Sequence, residues 1–306
     1  MIYTVTFNPA LDYVMNVKNL RTDDINRTES EQIFYGGKGI NVSVILSRLG
    51  IENKALGFVA GFSGIQLEDM LKTDNIKTDF VHLSKGYTRI NVKIKSQQEI
   101  DINAQGPNIS AQEVSALLNK LDQINAGDCL VLAGSIPNTL PDDIYEKILQ
   151  KLHNKGIDFA VDATGDLLLN VLKYKPILIK PNHHELGDIF SVKINNIEDI
   201  KSYAKKLQEM GARNVLVSRG KDGAALIDEN GGFHTMGNVP GKIKSSVGCG
   251  DSMLAGFLAG LTEKEDYEYA LKLGSVCGNA TAFSENLATK EEIDEMMNHE
   301  FFTDKG

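Results

Sequence analysis

The strongest constraint on this chain is its rhythm. Short β-rich apolar runs alternate with amphipathic helical segments along most of its length. Ile2–Phe7, Lys54–Ala60, Asp128–Ala133, Ile157–Val161, Ile177–Ile179 and Asn214–Ser218 read as strands. Asp128–Ala133 is continuous enough in apolar character to be buried on both faces. Between them, Ile40–Leu49 carries helical spacing and stops at Gly50, a good C-terminal residue. Ser110 and Glu113 make a capping box before Val114, Leu117, Leu118 and Leu121. Pro141 opens a helix carrying Ile144, Ile148 and Leu152, and Ile197–Met210 forms another. The last third is helical: Asp251–Leu261, Asp266–Phe283 and Glu291–Asn298. Repeated β-α-β units require a mostly parallel sheet with helices on both faces, a three-layer α/β/α body.

Two regions break the rhythm. Tyr13–Val17 with Glu31–Phe34, and Thr88–Ile102, alternate apolar and polar residues with period two. Ile90, Val92 and Ile94 face one way; Asn91, Lys93 and Lys95 face the other. That pattern predicts a half-exposed antiparallel sheet. We read it as a small β-sheet lid, built from segments about 11–34 and 87–104, on one domain covering 1–306.

Composition narrows the function classes. The net charge is −9 and no Lys/Arg-rich run occurs, so neither nucleic acid nor a membrane surface is expected as a partner. Three widely spaced cysteines suggest no disulfide framework and no Cys-based zinc site. With no basic and apolar leader at Met1–Phe7, a cytoplasmic location is expected.

Four segments carry chemistry. In Ser245-Ser246-Val247-Gly248-Cys249-Gly250-Asp251, the glycines let backbone N–H groups converge at a helix start. That makes an anion hole. Asp251 at its mouth either takes a proton from an attacking hydroxyl or merely caps the helix. Phe34-Tyr35-Gly36-Gly37-Lys38-Gly39-Ile40-Asn41 suits a phosphorylated polyhydroxy ligand, or is a Gly-rich turn with a solvated lysine. It is not a Walker A loop, since Gln32 stands at the first Gly position and Gly39 follows Lys38. Lys180-Pro181-Asn182-His183-His184-Glu185 sets Asn182 and Glu185 on one helical face, as oxygen donors for a hydrated Mg²⁺ or as an ordinary cap. Val217-Ser218-Arg219-Gly220-Lys221-Asp222-Gly223-Ala224 is a hairpin, with or without a nucleotide against it. A dinucleotide-dependent oxidoreductase is opposed by Met253, which stands where the third Gly of a Gly-x-Gly-x-x-Gly pattern belongs.

In chain order, Gly36–Asn41, Lys180–Glu185, Val217–Ala224 and Val247–Asp251 resemble the signatures of the pfkB (ribokinase-like) family of carbohydrate kinases. Thr6-Phe7-Asn8-Pro9-Ala10-Leu11-Asp12 is similar to the opening of its hexose-phosphate branch, which includes 1-phosphofructokinases and tagatose-6-phosphate kinases. Ile25-Asn26-Arg27, Thr88–Lys93 and Glu99–Pro107 look most like the 1-phosphofructokinases. The resemblance implies ATP and a ketohexose phosphate as substrates, and the conversion of fructose 1-phosphate to fructose 1,6-bisphosphate. Tagatose 6-phosphate or fructose 6-phosphate is the alternative acceptor. A non-catalytic sugar-phosphate sensor is a further alternative, opposed by the intact Gly248-Cys249-Gly250-Asp251.

It also implies roles. Asp251 is the general base, with the N–H groups of Gly248, Cys249 and Gly250 stabilising the transferring phosphoryl. Asp12, Arg27, Gly36, Gly37, Lys38, Asn41, Arg89, Asn103 and Ser135 hold the sugar phosphate. Lys180, Asn182, Ser218, Gly220, Gly223 and Asn279 line the nucleotide site. Glu185 and Asn182 hold Mg²⁺ through water. A homodimer through the lid is implied as well. Ser246 and Cys249 depart from the usual Thr and Ala or Ser. Cys249, at a helix N-terminus, is expected to have a lowered thiol pKa.

Overall fold

A computed structural model of the chain, describing residues 1–302, contains two sheets. The last four positions of the expected 1–306 domain lie outside the described residues. Among the described residues the large sheet has nine strands: β1 (Ile2–Thr6), β4 (Asn53–Ala60), β5 (Val81–Leu83), β8 (Cys129–Ala133), β9 (Asp158–Asp162), β10 (Leu178–Ile179), β11 (Asn214–Ser218), β12 (Ala224–Ile227) and β13 (Phe233–Met236). Their order is β13-β12-β11-β10-β9-β8-β1-β4-β5. From β5 to β11 all neighbours are parallel; β12 and β13 add an antiparallel edge. The chain runs from β1 outward through β4 and β5, then returns to β8 and proceeds the other way. The switch point therefore lies between β1 and β8, where the carboxyl ends of the strands open a crevice.

Alternate residues of each strand serve different cores. Val131, Ala160 and Leu216 pack with α1 (Lys38–Arg48), α2 (Gly61–Thr73), α8 (Cys249–Lys264), α9 (Tyr267–Phe283) and α10 (Lys290–Met297). Leu130, Leu132, Phe159, Val161, Val215 and Val217 pack with α3 (Ala111–Leu121), α4 (Ile144–Leu152), α5 (Gly165–Val171), α6 (His183–Phe190) and α7 (Ile197–Glu209). Burial on both faces is why these strands read as continuous apolar runs.

The second sheet joins β2 (Ala10–Asn16), β3 (Ser30–Gly36), β6 (Arg89–Lys95) and β7 (Ile100–Ile102) in the order β3-β2-β6-β7. It contains the period-two segments, but it is not wholly antiparallel. β2 and β6 run parallel, because the connection between them crosses the body through α1, β4, α2 and β5. Register puts Tyr13, Ile33, Val92 and Ile102 in one row, flanked on the same face by Met15, Ile94 and Ile100. The opposite face carries Asp12, Asn91 and Lys93.

The sequence reading passed over α2. Its two glycines, Gly61 and Gly64, weaken the helical signal, and Gly61 sits at φ 58°. The capping box at Ser110 and Glu113 is present, the Ser110 N–H donating to Glu113 at 2.7 Å. The helix expected from Pro141 begins at Ile144, whose N–H bonds the Pro141 carbonyl in the preceding turn.

Candidate active site

The crevice at the switch point is a cavity of 270 Å³. The ends of β1, β8 and β9 wall it with Thr6, Ser135 and Asp162, and Lys38 and Arg89 reach in. Arg89 donates its Nε to the Asn8 carbonyl at 3.0 Å. Among the described residues no carboxylate lies within ion-pair distance of its guanidinium. Burial lowers its pKa against the field of Asp12. A half-buried cation of this kind is a site for a ligand's anion.

Lys38 opens α1, and its Nζ stands 3.3 Å from Asp162. Burial works against its charge, but Asp162, Asp251 and Glu185 outweigh it and raise the pKa. Lys180 approaches the other oxygen of Asp162 at 3.5 Å, with both side chains almost fully enclosed. Asp162 is thus the hub of two lysines, and the sequence reading missed it. The available signal was its place: a carboxylate ending an apolar strand at the carboxyl edge of a parallel sheet.

Asp251 lies beside this hub. The N-cap of α8 is Gly248, at φ 77° and without a side-chain cap bond. Any Cβ at Gly248 would stand 2.5 Å from Leu287 Cδ2. Asp251 sits in the first turn and does not cap the helix; its Oδ2 accepts from Asn41 Nδ2 at 2.8 Å. Only 6% of Asp251 is exposed. Burial pushes its carboxyl up to about 6, and the Asp162 charge pushes the same way; the Asn41 bond, Lys38 and Lys180 pull it down. The first i→i−4 bond of α8 runs from Ser252 to Gly248, so the earlier N–H groups have no helical partner and are open to an anion. Lys180 adds charge there, since a Cβ on Gly250 would come within 3.2 Å of its Nζ.

A second cavity, of 470 Å³, runs along the other side of the nest. Ser218 and Gly220 after β11, Cys249 and Gly250 of α8, and Asn279 of α9 contribute, with apolar walls from Val239, Ile243 and Phe283. That size and character suit a nucleoside.

Several residues take places different from those expected. Asn41 turns its amide to Asp251, donating Nδ2 to the carboxylate. Asn279 does line the second cavity, with its amide held by Asn238, the Ser275 carbonyl and the Val239 N–H. Gly223 does not line the cavity; it packs where a Cβ would stand 2.0 Å from the Met236 carbonyl, at φ 89°. Lys180 lies under the nest and does not line the nucleoside cavity.

Asn182 and Glu185 do form the capping box: Asn182 Oδ1 accepts from the N–H groups of His184 and Glu185, and Glu185 accepts from the Asn182 N–H at 2.7 Å. Two bonds occupy both lone pairs of Asn182 Oδ1, which removes that oxygen from direct metal ligation and leaves the Glu185 carboxylate and the Asn182 Nδ2 to meet a hydrated ion. Among the described residues no three His, Cys, Asp or Glu side chains converge as a metal site.

Asp12 is held by Asn91 at 2.8 Å and Lys93 at 3.3 Å on the inner face of the small sheet. Gly36 is beside it, a Cβ there meeting the Asp12 carboxylate at 3.1 Å, and Gly37 turns at φ 122° into Lys38. Arg27 and Asn103 are exposed and line neither cavity. Cys249 contradicts its expected acidity. Burial and then the Asp251 charge push its thiol up to about 11, against a small lowering by its own backbone N–H.

A doubly wound sheet with a phosphate nest, a buried carboxylate and a second sheet over the crevice defines a ribokinase-like α/β kinase. Residues 5–294 match the pfkB family of carbohydrate kinases, and the chain belongs to that family. It is a phosphotransferase acting on a sugar hydroxyl. It is 45% identical over 97% of each chain to a 1-phosphofructokinase of Bacillus subtilis. It is 38% identical to a D-tagatose-1-phosphate kinase of Bacillus licheniformis, over 96% of this chain and 97% of the relative. Its fold is similar to Escherichia coli phosphofructokinase-2 in complex with substrates and products, with a TM-score of 0.91, 26% identity, and 96% and 97% of the two chains covered.

Proposed function

We propose that this protein transfers the γ-phosphoryl group of ATP to the C6 hydroxyl of D-fructose 1-phosphate, giving ADP and fructose 1,6-bisphosphate. The observation that carries the reading is Asp251, a buried carboxylate held by Asn41 at the lip of a backbone anion hole. As the hydroxyl oxygen bonds to phosphorus, Asp251 takes its proton and the bond to the ADP oxygen breaks. A pKa of about 6 leaves Asp251 ionised at neutral pH yet basic enough to accept that proton. The N–H groups of Gly248, Cys249 and Gly250 meet the charge of the phosphoryl group in flight. Lys38 and Arg89 grip the phosphate already on the sugar, with Ser135 on the wall and Asp12, Gly36 and Gly37 toward the hydroxyls.

Magnesium would be held by Glu185 through water, with Asn182 orienting the start of its helix. The donor chemistry fits, because the cap uses one acceptor position of a carboxylate that has several. Bound there, the ion neutralises phosphate charge.

The small sheet acts as a lid whose polar face covers the sugar and excludes water. Its outer face is apolar, with Ile33 and Ile102 each about half exposed. A second copy of the lid is the occupant we assign to it, giving a homodimer. Three unpaired cysteines fit a cytoplasmic enzyme.

D-Tagatose 1-phosphate, the C4 epimer, is the second reading, favoured by the relative named for it. Tagatose 6-phosphate, expected as an alternative from sequence, places the phosphate at the opposite end. Asp251→Asn tests the mechanism. It should keep ATP and sugar-phosphate binding and lose about 10²–10⁴ in kcat. Turnover within about tenfold of wild type, a barrier change near 1.4 kcal/mol, would show that Asp251 is not the base.

A further inference from the structure

Arg48 has no part in the roles above, yet it touches both halves of the site. Its Nη1 donates to the carbonyls of Leu287 and Ala288, each at 2.8 Å. Its Nη2 donates to the Tyr35 hydroxyl at 3.3 Å, and that hydroxyl donates to Asp74 at 2.6 Å. Tyr35 is the residue before Gly36-Gly37-Lys38, at the end of lid strand β3. Leu287 is the residue whose side chain backs Gly248 of the nest. On its other side the same segment is fixed through α8: the Ala288 N–H bonds Thr281 Oγ1 at 3.2 Å, and Thr281 shares a 2.8 Å hydrogen bond with Ser252, next to Asp251.

We propose that Arg48 is a positioning residue that sets the seat of the phosphate nest relative to the lid strand and its sugar-phosphate turn. Helix α1 meets the nest twice, through Asn41 on Asp251 near its start and through Arg48 near its end. The two contacts are seven residues apart, roughly 10 Å along the helix axis. That baseline fixes both the base and the segment behind Gly248 to one rigid element. A planar guanidinium can address two carbonyls and a phenol in different directions at once; an ammonium at this place has the charge without the fork. Leu287 and Ala288 are buried, so loss of Arg48 leaves two carbonyls to find new partners by moving.

The inference rests on the phosphoryl-transfer reading. Its test compares wild type with Arg48→Ala, Arg48→Lys and Tyr35→Phe, each assayed well below its own Tm. Two readouts are taken: steady-state kinetics, and ATP affinity by calorimetry without sugar phosphate. Arg48→Ala should lower kcat about tenfold or more and weaken ATP binding, while the sugar-phosphate KM moves less than about threefold. Arg48→Lys should recover part of the loss. Tyr35→Phe should act in the same direction more weakly, and adding it to Arg48→Ala should cost little more, since both break one linkage. Wild-type kcat and ATP affinity in Arg48→Ala would overturn the proposal, as would losses that simply add. If Arg48→Ala does not fold, unchanged kinetics and ATP affinity in both Arg48→Lys and Tyr35→Phe would overturn it. A wild-type protein inert toward every ketohexose phosphate would sink the functional reading, and the calorimetric comparison would then still decide the role of Arg48.

Discussion

Replacing Asp251 with Asn should make this protein more stable as it makes it inactive. In the folded chain the carboxyl is pushed from 3.8 to about 6, first by burial and then by Asp162. A raised carboxyl pKa means that the fold favours the protonated form. The stability this contributes is fully present below the unfolded value, near pH 4, and is lost as pH rises through about 6. A shift of roughly two units corresponds to about 3 kcal/mol against the ionised form. The amide of Asn has the carboxyl's shape without its charge, so at pH 8 the variant escapes that cost while retaining an acceptor for Asn41. With an unfolding entropy of roughly 2.1 cal/mol/K per residue, 3 kcal/mol raises Tm by about 4–5 °C in a chain of this size. Calorimetry without ligands is the suitable assay, since the chain has no tryptophan to report unfolding. The gain should be near its full size at pH 8 and shrink toward zero near pH 4. No gain at pH 8, or the same gain at both pH values, would refute the assignment of Asp251 as a buried, destabilised carboxylate.

Three further outcomes follow from the same geometry. The acid limb of the kcat/KM profile should fall off near pH 6, where Asp251 takes up its proton; a limb near pH 4 would mean a solvated carboxylate. Arg89→Ala should raise the sugar-phosphate KM about 10²-fold with the ATP KM little changed, because its guanidinium faces only the smaller cavity; a change confined to ATP would reverse that placement. Iodoacetamide at pH 7.5 should label Cys249 about 10²-fold more slowly than a free thiol, its thiol being pushed up to about 11; labelling at the free-thiol rate would contradict its burial.

The body of the fold was legible because its signals are local. Capping boxes, apolar strands and the period-two face of Ile90, Val92 and Ile94 each follow from a few neighbouring residues. The parallel pairing of β2 with β6 was not legible, because it depends on a crossover through four other elements. In the site, the Gly248–Asp251 nest could be read from its glycines and the helix after them. Asp162 offered only its place at the end of an apolar strand, since its importance comes from Lys38 and Lys180, distant in sequence and adjacent in space. Cys249 was misjudged for a related reason: a helix N-terminus is visible in sequence, whereas burial beside Asp251 is not.

The most direct test of the whole account is ADP release by the purified protein with Mg-ATP. Fructose 1-phosphate, tagatose 1-phosphate, fructose 6-phosphate and tagatose 6-phosphate are compared at equal low concentration. The account predicts the highest kcat/KM for fructose 1-phosphate, with a bisphosphate as product. A preference for either 6-phosphate would contradict the orientation in which Arg89 and Lys38 hold the C1 phosphate and Asp251 meets the C6 hydroxyl.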